Sequence, residues 1–94
     1  MGSSRDELDY VYEAAKDLMD KRELDYEGSW RDEGIDSAIG AVYKKGSQLR
    51  TMHGNGRLFS NIPRSKEDCL DLINYAAFTY RFLDLKENGS EVSS

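Results

Sequence analysis

The chain has 94 residues, enough for one domain, but at that size folding buries only about 60 to 65 % of the surface an unfolded chain exposes. Hydrophobic residues make up 38 % and charged residues 33 %, with a single proline and a net charge of −5. This profile is that of a soluble globular protein rather than a disordered or membrane one, and the net charge argues against a general binder of duplex nucleic acid. No run of about 18 apolar residues exists, so no membrane span is expected, and Met1-Gly2-Ser3-Ser4 lacks the regions of a secretory signal. The expectation is a cytoplasmic protein.

Charge is uneven along the chain. Residues 35–64 carry five basic and one acidic side chain, between two acidic flanks. The single cysteine, Cys69, has no second cysteine to pair with and no Cys or His cluster near it, which removes disulfide-scaffold and zinc-finger readings.

Ser4-Arg5-Asp6-Glu7 has the form of a capping box and predicts a first helix over about 5–22, with Leu8, Val11, Tyr12, Ala15, Leu18 and Met19 on one stripe. Residues 24–34 lack a clean stripe and read as an ordered connection pinned by Tyr26 and Trp30. A second helix is expected over about 36–52, capped by Asp36 or Ser37. Ala38, Ile39, Val42, Leu49 and Met52 share one of its faces, and a close approach or a kink is expected near Gly46. Residues 53–64 read as a loop that Pro63 keeps irregular. Ser65 then caps a third helix over about 65–85, and 87–94 forms a frayed tail.

The third helix is apolar on two sides. Cys69, Leu70, Ile73, Ala76, Ala77, Tyr80 and Leu83 make a broad face, expected to meet the core. Asp68, Asp71, Tyr75, Phe78 and Phe82 fall opposite, and that second face is expected to meet another subunit or a ligand. The fold class is therefore all-α, three main helices with two ordered loops, completed by homo-oligomerisation.

Asp68 and Asp71, three residues apart, are within range to share a hard cation such as Mg²⁺. The alternative is that Asp68 complements the helix dipole while Asp71 accepts a hydrogen bond from a neighbouring element. Lys44, Lys45, Arg50, Arg57 and Arg64 suit phosphate contacts, or form a solvated surface. His53 has no partner at a spacing that would make a hydrolytic triad.

Asp25-Tyr26-Glu27-Gly28-Ser29-Trp30, Lys45 to Leu49, and Glu67-Asp68-Cys69-Leu70-Asp71-Leu72-Ile73-Asn74-Tyr75-Ala76 resemble motifs of the phage and bacterial family named nucleotide modification associated domain 1. That family is related to the all-α MazG-like nucleotide pyrophosphohydrolases, and the resemblance spans roughly Lys21 to Leu83. It implies a helical bundle and a nucleotide ligand, with Mg²⁺ on Asp68 and Asp71. Glu67 is then placed to assist as a base, Lys45 and Arg50 to orient phosphates, and Tyr26, Trp30 or Tyr75 to stack on a base. The sequence departs from the pattern in three ways: the second helix has no carboxylate after Asp36, Glu27 replaces a loop glycine, and Gln48 replaces an arginine. Three functions are thus expected: a nucleotide-binding protein acting as a Mg²⁺-dependent nucleoside triphosphate pyrophosphohydrolase, a non-enzymatic phage-type protein that sequesters a nucleotide signal or binds a host protein, or a small oligomerising helical protein with no ligand.

Overall fold

The computed structural model describes residues 3–22 and 29–89, and these are helical apart from short turns. Three helices follow in order: α1 (Ser4–Lys21), α2 (Ser29–Gly54) and α3 (Ile62–Glu87). Both α1 and α2 pack on α3, which is therefore the central element. The residues after Gly89, and Tyr26 in the first connection, lie outside the described residues. None of the described helices is long and apolar enough to cross a membrane.

The first helix starts one residue earlier than predicted, because Ser3 rather than Ser4 is the cap. The Asp6 N–H donates to Ser3 Oγ (3.2 Å) and the Ser3 N–H donates to Asp6 Oδ2 (3.2 Å). Both serines precede an acid at a suitable spacing, and local sequence alone does not separate them.

The helical residues of α2 begin at Ser29, but a non-helical break at Gly34 (φ 86°, ψ 170°) divides them, so the helix expected from about 36 is the part beyond the break and residues 29–33 add a short helical stretch within the expected connection. Only glycine adopts that backbone without strain. Gly34→Ala is expected to cost about 1 to 3 kcal/mol, whereas Gly40→Ala, at an open helical position, should add about 0.5 to 1 kcal/mol. Thermal melts of the two variants check this contrast. No break occurs at Gly46. A Cβ there would stand 3.7 Å from Leu72 Cδ1, so this glycine marks close approach of α2 to α3.

The third helix starts at Ile62 rather than Ser65. Asn61 is its cap, with Oδ1 accepting from the Arg64 N–H (3.2 Å). Pro63 falls in the first turn, where a helix leaves N–H groups unused and a proline loses nothing. The expected irregular stretch at 61–64 is instead the helix start. Ser65 is buried, and its hydroxyl donates to the Leu58 carbonyl (2.8 Å), tying the α2–α3 turn to α3.

The two faces of α3 are the reverse of the expectation. Asp68, Asp71, Asn74, Phe78 and Phe82 are buried inside the chain, with Tyr75 packed alongside, while Cys69, Ala76, Ala77, Tyr80 and Leu83 are exposed. The apolar core among the described residues is small. Ala38, Phe78 and Phe82 form it, flanked by Met19, Ile35 and Tyr75, and Ala15 is buried where α1 meets α3.

Candidate functional site

Asp68 and Asp71 are as deeply buried as the apolar core, at 2 % and 1 % exposure. Carboxylates are rarely fully buried unless paired, and here the partners come from all three helices. Arg22, at the C-terminal cap of α1, donates through Nη1 to Asp71 Oδ1 (2.5 Å) and through Nη2 to Glu67 Oε1 (2.8 Å). Lys45 of α2 brings Nζ to 3.1 Å from Asp71 Oδ2 and 3.7 Å from Asp68 Oδ1. Arg64, one turn before Asp68, places Nε 3.7 Å from the same Asp68 oxygen.

Three carboxylates therefore face three cations. Each oxygen of Asp71 has its own cationic partner, and the cluster joins α1, α2 and α3 at one level of the bundle. Asp71 accepts a hydrogen bond from a neighbouring element, one of the two roles its position suggested. For Mg²⁺ to bridge Asp68 and Asp71, either Arg22 or Lys45 would have to give up an Asp71 oxygen. Among the described residues no group of three His, Cys, Asp or Glu side chains is placed to hold a metal.

Asp68 differs from Asp71 in one respect. Its Oδ2 is buried and has no hydrogen-bond partner, and the same holds for Gln48 Oε1 on α2. Both residues line one cavity of about 260 Å³ between α2 and α3, together with Ser47, Thr51, Met52 and Arg64. A buried acceptor without a donor costs roughly 1 to 3 kcal/mol, so two on residues that share one cavity wall call for an explanation.

The remaining sequence candidates are dispersed. Glu67 is half exposed on the Arg22 guanidinium. Lys45 turns inward to the two aspartates. Arg50 is exposed and lines a separate apolar groove with His53 and Phe59. Tyr75 is half-buried, in an edge-to-face contact with Phe78 (centroids 5.9 Å, 85°). Tyr26 and the Trp30 side chain lie outside the described residues.

Sequence reasoning missed Arg22, which reads locally as a helix-ending cation, and took Gln48 only as a departure from a motif. It also missed Asn74, whose Nδ2 donates to the Ala15 carbonyl (3.2 Å) and fastens α1 to α3. The one available signal was the unbroken three-four spacing of 68, 71, 75, 78 and 82, which is that of an inward seam. Compared with known protein families, with curated proteins and with solved structures, the chain matches none.

Proposed function

We propose that this chain is a nucleotide-binding protein that holds its ligand without hydrolysing it, in the cavity between α2 and α3. The observation that carries this reading is that Gln48 and Asp68, two residues lining that cavity, each hold a buried oxygen, Oε1 and Oδ2, with no donor among the described residues. A base bearing an amino group supplies N–H donors to such acceptors: guanine through N1–H and the exocyclic amine, adenine and cytosine through the amine alone. Arg64 on the cavity wall and Lys44, one turn before Gln48 on α2, add positive charge for the phosphates. The basic middle segment gains a purpose in this reading. The motif resemblance, strongest over Glu67 to Ala76, points the same way.

Hydrolysis is the second reading, and the cation-held state of Asp71 counts against it. The two readings separate in one titration series. Calorimetry with each of the four ribonucleoside triphosphates, with and without Mg²⁺, is expected to show binding of amino-bearing bases in preference to uracil and no release of pyrophosphate. Gln48→Met keeps the side-chain length and removes the acceptor. It should lose binding while raising the melting temperature by a few degrees, since an unpaired buried oxygen is gone. Pyrophosphate release that requires Mg²⁺ and disappears in Asp68→Asn would favour the hydrolase. No binding of any triphosphate would sink both.

A further inference from the structure

All 18 acidic side chains of the chain lie before residue 37 or after residue 66, so α2 beyond Asp36, the turn at 55–61 and the start of α3 carry none. Arg50 on α2, Arg57 on the turn and Lys66 on α3 are exposed in this stretch, and none of the three has an ion pair among the described residues. Arg64 lies there too, but faces Asp68. The hairpin of α2 and α3 brings Arg50 and Lys66 to one groove, whose apolar walls are Leu49, Leu58, Phe59, Ile62 and Cys69.

Phe59 is 81 % exposed and Ile62 49 %. The turn that carries Phe59 is tied on both sides of it. The Arg57 N–H donates to the Met52 carbonyl (2.8 Å), the Ser60 N–H to the Arg57 carbonyl (3.0 Å), and the Ser65 hydroxyl to the Leu58 carbonyl (2.8 Å). A fixed backbone therefore holds the ring out in water. We infer that this end of the α2–α3 hairpin docks on the surface of an anionic lipid bilayer, with Phe59 and Ile62 entering the interface and Arg50, Arg57 and Lys66 on the headgroups.

Two kinds of complementarity select that occupant. Anionic headgroups attract cations without asking for a fixed spacing, and these three come from three different segments. Beneath the headgroups lies an apolar medium that takes up aromatic and aliphatic side chains, while arginine and lysine stems reach back to the charged surface. A single strand of nucleic acid would also use the cations, but its bases stack on aromatic rings, and apart from Phe59 the apolar walls carry none. A second exposed apolar face, around Leu8, Tyr80 and Leu83, makes the contrast. Asp9 and Glu13 are exposed on α1 next to Leu8 and Tyr12, so an anionic bilayer repels that face. The docking is at the surface, since no described helix is long and apolar enough to cross.

The inference does not depend on the nucleotide reading, because Arg50, Phe59 and Lys66 lie outside the Gln48 cavity. Co-sedimentation with vesicles tests it. The chain should pellet with phosphatidylcholine vesicles that contain phosphatidylserine and far less with phosphatidylcholine alone, and added salt should release it. Arg50→Gln combined with Lys66→Gln should lower the partition coefficient roughly thirtyfold, about fivefold for each charge. Phe59→Ser should lower it about tenfold, whereas Leu83→Ser, on the other apolar face, should leave it unchanged. All four positions are exposed, so the variants should melt with the wild type and the comparison is one of folded chains. No pelleting with anionic vesicles at low salt overturns the inference. So does pelleting that Phe59→Ser or the double variant leaves unchanged. Retention of a poly(U) strand without vesicle binding also overturns it, and would give the surface to nucleic acid.

Discussion

An Asp71→Ala variant is expected to lose about 2 to 4 kcal/mol of folding free energy, a large part of what a chain of this length has. Asp71 is buried, and both of its oxygens hold cations. Removing it leaves the Arg22 guanidinium with Glu67 and the Lys45 ammonium with Asp68 at 3.7 Å, but takes away the buried carboxylate that holds the two cations together. The figure sits at the low end for a broken buried pair because Arg22 and Lys45 keep 30 % and 22 % exposure, enough to regain some water.

Glu67→Ala is the control. That carboxylate is 50 % exposed on the same guanidinium, and its loss should cost well under 1 kcal/mol. Replacing the inner charges together with apolar residues, as in Asp68→Leu and Asp71→Leu combined with Arg22→Met and Lys45→Met, should restore much of the stability, since burying charges and pairing them roughly cancel. Urea melts of the three proteins decide the matter. An Asp71→Ala midpoint equal to wild type would mean the cluster does not hold the helices together.

The helices themselves were legible in the sequence, and the pairing of their faces was not. Period and caps are local properties, and the three helices appear where periodicity puts them, displaced at their starts by rival caps at Ser3 and Asn61. The partners of Asp71 and Asn74 are of another kind. Arg22 lies 49 residues from Asp71, and the Ala15 carbonyl lies 59 residues from Asn74. A hydrophobicity count puts the side of α3 with two acids and an asparagine outward, because it cannot see that distant residues supply a matching charge or carbonyl. The same blindness hid the Gln48–Asp68 cavity wall, where two buried oxygens find no donor among the described residues.

The reversed faces of α3 make the largest contrast between neighbouring residues. Phe82→Ala is expected to cost about 3 to 5 kcal/mol, because the ring is 2 % exposed in the core with Ala38 and Phe78 and its removal opens a cavity the helices cannot collapse into. Leu83, one residue later, is more than half exposed within the chain. Its truncation should cost well under 1 kcal/mol, as for a side chain that the chain itself leaves in water. Thermal melts of the two variants measure the contrast. If Leu83→Ala proved the costlier change, the face with Tyr80 and Leu83 would be the interior one, and the packing of α3 would have to be turned by half a rotation.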